Sequence, residues 1–366
     1  MKLFATSDIH IGLKFTGYAD VQDALIEARF AALERMVDLA NREQCDLFVI
    51  AGDLFERQGV PRRDVLRVRH ILDAFEGALV AVLPGNHDYL ASGDAALWNG
   101  FEESGAGTVL VLREPVPYPL KQRYDIDACL YPGPCVSKHS ADNAIGWIRD
   151  SEKDAGLSFH IGVAHGSLEG VSPDFDGSFY PMTDGDLAVE GIDCWVLGHT
   201  HVPRHEGAVY IAGTPEPDGF DCTHEGGAWI VEMKNGTHLG HHRVATGSYR
   251  FETAAEQAGS VDDLERIGAA FSSRAYRNCL LKLTLSGSLP REDYERIGTL
   301  RRQVSDSVFH LHSFVNDVRE EISREDIDRE FTEGSFAHRL LTRLSEREED
   351  SRALQTAYHL IGQVRQ

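Results

Sequence analysis

The chain has 366 residues, 42% of them hydrophobic and 26% charged, and a formal net charge of −22. That length predicts two or three domains with a real interior, and the charge argues against a free-standing protein that neutralises nucleic-acid phosphates by itself. No apolar run approaches the ~20 residues of a bilayer span. Asp8 and His10 fall where a signal peptide needs apolar residues, so a cytoplasmic protein with no membrane segment is expected.

The acidic excess is uneven: residues 1–249 hold 37 acidic and 19 basic residues, whereas 250–366 hold 21 and 17. A solubility charge accounts for most of it. Six scattered cysteines show no C-x-x-C pair and no zinc-ligand spacing, which predicts reduced, buried thiols.

Along the chain, KLFATSDIH reads as a short strand ending in Asp8 and His10, two positions apart and so on one face of an extended segment. A helical periodicity runs from about 21 to 41. CDLFVIAGDLFE is a buried strand ending in Gly52 and Asp53, and a second amphipathic segment, about 62–75, leads into ALVAVLPGNHD, which ends in Asn86, His87 and Asp88. Strand and helix alternate as in parallel β-α-β units. Downstream, SFHIGVAHGS is an apolar run ending in His165, and IDCWVLGHTH is one ending in His199 and His201.

One polar residue after a strand is ordinary turn or cap chemistry. Five such runs are different, because ligands of open α/β sheets bind at the carboxyl ends of the strands, where these side chains should converge. Two aspartates and four histidines cannot share a dry site without compensation, and metal ions supply it. Imidazole, carboxylate and amide oxygen without thiolate suit Mn²⁺, Fe²⁺ or Zn²⁺. Seven ligands (Asp8, His10, Asp53, Asn86, His165, His199 and His201) exceed one tetrahedral ion but fit two ions that share a carboxylate, a geometry suited to in-line phosphoryl displacement.

At these residues the sequence resembles the calcineurin-like metallophosphoesterase superfamily, through Asp8-Ile9-His10, Gly52-Asp53, Gly85-Asn86-His87-Asp88, His165 and Gly198-His199-Thr200-His201. SDIHIG, DLFVIAGDLFE, YPMTDGDLAVEGIDCWVLGHTH and YIAGTPEPDGFDCTHEGGAWIVE narrow the similarity to SbcD-type DNA repair exonucleases, and HGSLEG to their YhaO-like branch. The resemblance spans roughly residues 1–250. It implies an α/β fold, a four-layer α/β/β/α sandwich, and Mn²⁺ as the first expectation among the metals. One ion would take Asp8, His10, Asp53 and His201, the other Asp53, Asn86, His165 and His199, with Asp53 as the bridge. His87 would face the scissile phosphate and Asp88 would orient its ring. The implied reaction is in-line attack on phosphorus by a metal-held hydroxide, with DNA, as double-stranded ends or single strands, as substrate.

GAVYIAGT and GGAWIVEMKNGTHLGHHRV continue the strands, with Asn235-Gly236 as a hairpin turn; His238, His241 and His242 read as surface residues. CLLKLTLSG and VFHLHSFVNDV are further strands flanking the helical PREDYERIGTLRRQV, with His310 and His312 structural. The expected division is a phosphoesterase domain, 1–249, a small α+β C-terminal cap domain, 250–334, and C-terminal helices, 335–366. The stripe Phe336, Leu340, Leu341, Leu344, Leu354, Tyr358, Ile361 either packs on the cap or meets a partner, for which the resemblance suggests an SbcC-like coiled-coil ATPase. A homodimer is a further expectation. The basic stretch RRDVLRVRH reads as a solvated helix face or a phosphate contact. Two rival functions stand beside the nuclease: a phosphoesterase acting on nucleotides or other small phosphodiesters, and a non-catalytic scaffold.

Overall fold

The structure is a computed structural model that describes residues 1–91, 96–105, 108–234, 237–346 and 351–364. It divides into two compact units, Met1–Arg250 and Phe251–Gln366. The first unit carries twelve strands among the described residues: β1 Lys2–Thr6, β2 Leu47–Ala51, β3 Leu79–Leu83, β4 Val109–Val111, β5 Tyr118–Pro119, β6 Ala128–Gly133, β7 Phe159–His165, β8 Cys194–Gly198, β9 Arg204–Glu206, β10 Val209–Ile211, β11 Gly227–Lys234 and β12 Thr237–Ala245. They form two six-stranded sheets, ordered β12-β11-β1-β2-β3-β4 and β5-β6-β7-β8-β10-β9.

β1, β2 and β3 pair in parallel, as do β6, β7 and β8. Their near-continuous apolar sequences follow from burial on both faces. Alternate residues of the first sheet (Leu3, Ala5, Leu47, Val49, Leu79, Ala81) meet Leu130, Ile161, Val163 and Val196 of the second in the core between the sheets. The intervening residues Phe4, Phe48, Ile50, Val80 and Val82 pack instead against Phe30, Leu33 and Met36 of α1 (Gln22–Arg42) and Val65, Val68 and Leu72 of α2 (Arg62–Leu72). On the far side of the second sheet, Tyr131, Trp195 and Leu197 are covered by Ile145, Ile148, Leu168, Met182 and Leu187. The helices there are short, Gly146–Ile148 and Asp184–Leu187. The result is a mixed α/β sandwich, and all six cysteines in it and in the second unit are free and buried.

β11 and β12 are antiparallel neighbours; the proposed turn at Asn235-Gly236 lies outside the described residues. In the basic stretch, Arg67 reaches Glu27 at 2.8 Å and stacks over Phe30, and Arg69 is buried against Asp73 at 2.9 Å. Those two cations are occupied by the fold itself.

The second unit has a three-stranded sheet, β13 (Arg250–Ala258), β14 (Cys279–Pro290) and β15 (His310–Glu321), in that order. β14 and β15 are parallel and joined through the helix Arg296–Ser307, whose Leu300 and Val304 pack with Leu281, Leu283 and Leu285. The terminal helices Phe336–Ser345 and Ser351–Val364 turn much of their apolar stripe inward: Leu341, Leu354 and Tyr358 are buried with Ile322, Ile327 and Phe331. Phe336, Leu360 and Val364 are exposed. No helix among the described residues is long and apolar enough to cross a membrane.

Candidate metal centre

The first unit brings the polar ends of β1, β2, β3, β7 and β8 together, because parallel strands put their carboxyl ends at one edge. Asp8 and His10 follow β1, Asp53 follows β2, Asn86 follows β3, His165 ends β7, and His199 and His201 follow β8. Of these, Asp8, His10, Asp53, Asn86 and His165 are buried. Asp8, His10, Asp53 and His199 have positive φ, at 53°, 51°, 53° and 93°. Non-glycine residues adopt that conformation at a cost, and such strain gathers at functional sites. The glycines beside them are required by close approach. A Cβ on Gly52, itself at φ 90°, would lie 2.0 Å from His165 Nδ1, and one on Gly85 would lie 2.2 Å from Asp53 Oδ1.

Two groups of donor atoms result. In the first, His10 Nε2 lies 3.9 Å from Asp8 Oδ1, 3.7 Å from Asp53 Oδ2 and 3.3 Å from His201 Nε2, and His201 Nε2 is 3.8 Å from Asp8 Oδ1. In the second, His165 Nε2 is 3.3 Å from Asp53 Oδ2 and 2.9 Å from Asn86 Oδ1, which is 3.3 Å from His199 Nδ1. Neighbouring ligands on a coordination sphere of ~2.1 Å radius stand roughly 3.0–3.5 Å apart. The second group, at 2.9–3.3 Å, has that spacing and the first, at 3.3–3.9 Å, is wider. Both offer the oxygen and nitrogen chemistry of divalent-metal ligands, and Asp8, Asp53 and His165, like Asp8, His10 and His201, each place a donor atom within 4.8 Å of the others.

The electrostatics agree with that crowding. Burial alone would raise the Asp53 carboxyl, but the imidazoles of His165, His10 and His87 hold it well below the usual carboxylate range. Burial likewise disfavours a charged His165, and the Asp53 carboxylate overrides it and raises the ring to about 9. Each group is stabilised by the other's charge, as a bound cation would stabilise both aspartates.

The outer nitrogens of the imidazoles are also held. His165 Nδ1 is 2.9 Å from the Ala51 carbonyl, His199 Nε2 3.0 Å from Asp174 Oδ2 and His201 Nδ1 3.1 Å from Asp218 Oδ2, while His10 Nδ1 is 2.9 Å from Glu56 Oε2 without hydrogen-bond alignment. Such partners fix the ring orientation and the tautomer of a metal-binding histidine. Sequence reading missed Glu56, Asp174 and Asp218. Glu56 had a signal, three residues beyond Asp53 in the same turn; Asp174 and Asp218 sit in loops without periodic pattern.

The contacts of Asp88 differ from the expected ring-orienting role. His87 lies beside the cluster, its ring centre 4.9 Å from that of His10, but its Nδ1 faces the Glu56 carbonyl oxygen at 3.0 Å. The carboxylate of Asp88 is buried and accepts the backbone N–H groups of Phe55 at 2.9 Å and Gly85 at 2.7 Å. Adjacent residues in a tight turn point apart, so Asp88 braces two loops while Glu56 sits on the His87 ring. Burial, followed by the nearby Asp53 charge, pushes the Asp88 carboxyl up to about 8.

The profile of the family described as Calcineurin-like phosphoesterase matches residues 1–203. The chain is 29% identical over 243 residues to the uncharacterized metallophosphoesterase YhaO of Bacillus subtilis (strain 168), covering 63% of this chain and 57% of that protein. It is 24% identical over 318 residues to the DNA double-strand break repair protein Mre11 of Methanopyrus kandleri, covering 80% and 66%. With the Mre11 protein of Saccharolobus solfataricus it shares 26% identity over 229 residues, covering 59% and 55%. The chain thus spans between about half and two thirds of the length of these curated relatives.

Proposed function

The chain belongs to the calcineurin-like phosphoesterase family, and we propose that it is a two-metal phosphodiesterase of the SbcD type that cleaves DNA. The observation that carries the reading is Asp53, one of whose carboxylate oxygens faces both donor groups, 3.7 Å from His10 and 3.3 Å from His165. A ligand shared between two ions needs that position. Asp8, His10 and His201 complete one set, and Asn86, His165 and His199 the other. We propose Mn²⁺ for an oxygen and nitrogen donor set without thiolate.

When bound, such a metal pair neutralises charge on the phosphoryl oxygens and aligns an in-line displacement. The chain's own residues do the rest. His87 is half-buried and directs Nδ1 at the Glu56 carbonyl, which leaves its other nitrogen for the phosphate or the leaving oxygen. Glu56, Asp174, Asp218 and the Ala51 carbonyl hold the ligand rings in place.

DNA as substrate draws support from the similarity to two proteins named for DNA double-strand break repair. The charge of −22 weakens phosphate contacts without forbidding cleavage by the chain alone; an SbcC-like coiled-coil ATPase is the partner we propose to strengthen them, with a second copy of the chain as an additional one. The same charge favours the other reading, a phosphoesterase of nucleotides or small phosphodiesters. The purified chain with Mn²⁺, given double-stranded ends, single-stranded DNA and bis(p-nitrophenyl) phosphate side by side, separates them. Faster cleavage of either DNA supports the nuclease, hydrolysis confined to the small ester supports the second reading, and inertness towards all three overturns both.

A further inference from the structure

Arg29 lies in α1 among Leu25, Ala28, Phe30, Ala32 and Leu33, and like them it is buried, at 1% exposure. A guanidinium in such a place needs its charge paired, and each N–H without an acceptor adds to its cost. Its Nη1 donates to the carbonyl oxygen of Ile9 at 2.7 Å, and its Nη2 pairs in charge with Asp218 Oδ2 at 3.2 Å, while neither Nη2 nor Nε makes a hydrogen bond among the described residues. Its other face lies over the ring of Phe15, 5.4 Å from the centre. Ile9 stands between Asp8 and His10, whose backbones are both at positive φ. The oxygen of Asp218 that meets Arg29 is the one 3.1 Å from His201 Nδ1, and the other accepts the Cys222 thiol at 3.1 Å.

We propose that Arg29 and Asp218 are positioning residues for the metal site, a pair that fixes His201 and the Asp8–His10 turn in one relative arrangement. This rests on the two-metal reading of the site. The two segments are nearly two hundred residues apart in sequence, and one guanidinium hydrogen-bonds the backbone of the first and forms an ion pair with the carboxylate beside the second. With Nδ1 committed to Asp218, His201 turns Nε2 to Asp8 Oδ1, at 3.8 Å, and His10 Nε2, at 3.3 Å. Arg29 suits this role better than lysine, because its two Nη atoms reach the carbonyl and the carboxylate at once, one by a hydrogen bond and one by an ion pair.

The test is calorimetric titration of the metal-free full chain with Mn²⁺ alone. The wild type is expected to show two binding events, and Asp218→Asn to weaken one of them roughly 10- to 100-fold while leaving the other unchanged. Arg29→Lys should weaken the same event by less. Removing one partner strands a buried charge, so the double variant Arg29→Met/Asp218→Asn, which removes both, serves where a single variant does not fold; it is expected to keep the weakened event. A folded double variant with both events at wild-type strength overturns the proposal. A wild type that binds no Mn²⁺ overturns the two-metal reading on which it rests. A uniform loss at both sites also overturns it, since a general structural defect, and not the position of His201, would then be at work.

Discussion

Asp53 and His165 meet with Oδ2 and Nε2 3.3 Å apart, although one follows a strand of the first sheet and the other ends a strand of the second. The contact exists because the apolar inner faces of the two sheets stack with their carboxyl-terminal edges together. If Asp53 is the shared ligand, Asp53→Asn lowers occupancy at both sites, whereas Asn86→Ala weakens mainly one. Counting bound Mn²⁺ from the electron paramagnetic resonance of the free ion distinguishes the two variants. Equal effects from both would argue against a bridge.

His87 places a ring nitrogen within 4.8 Å of donor atoms of His10 and Asp53 but is not one of the seven proposed ligands, so its removal should separate metal binding from turnover. His87→Gln is expected to retain Mn²⁺ and lose ~10²–10⁴-fold in rate on whichever phosphodiester the wild type cleaves. Loss of metal instead would make it a ligand.

Asp88 has a structural assignment that can be checked against the ring-orienting role its sequence position suggests. Asp88→Ala leaves the N–H groups of Phe55 and Gly85 without their acceptor, at about 1–3 kcal/mol for each buried donor. Urea unfolding should show a loss of that order. Full stability combined with the rate loss of His87→Gln would return Asp88 to the ring.

Glu216 gives the first unit a pH dependence of its own. Burial pushes its carboxyl up to about 7, against the N–H groups of Tyr249 and Ser248 and the charges of Arg29 and Arg35. Between about pH 4.5 and 7 the unfolded chain releases this proton while the folded chain keeps it. Stability therefore falls as pH rises through that window, by up to about 1.4 kcal/mol per pH unit from this group. In Glu216→Gln the slope of unfolding free energy against pH from 5 to 7 should flatten, whatever its absolute level. An unaltered slope would contradict the assignment.

The residues that end five apolar runs are the ones the sheets bring together, and they were legible because strands buried on both faces have few reasons to finish in Asp, Asn and His. What surrounds them was less legible. Arg29 sits in a helical pattern where an arginine reads as surface, and only the fold reveals the carbonyl and carboxylate that pair with it. Asp174 and Asp218 come from loops whose paths no periodicity fixes. For Asp88 the resemblance implied a partner for His87, while its carboxyl oxygens accept from the backbones of Phe55 and Gly85. In the second unit the alternation of β14 and β15 was readable, but their parallel pairing was not, since alternation marks faces and not neighbours. The terminal helices showed their stripe, but not Ile322, Ile327 and Phe331, which cover much of it.

The central claim is that this chain holds two divalent ions across Asp53, and the metal content of the chain tests it most directly. After removal of metal, reconstitution with Mn²⁺ and exhaustive desalting, elemental analysis should approach two ions per chain, with phosphodiester hydrolysis rising with the occupancy of both. A plateau at one ion, or none, in a folded chain would contradict the account.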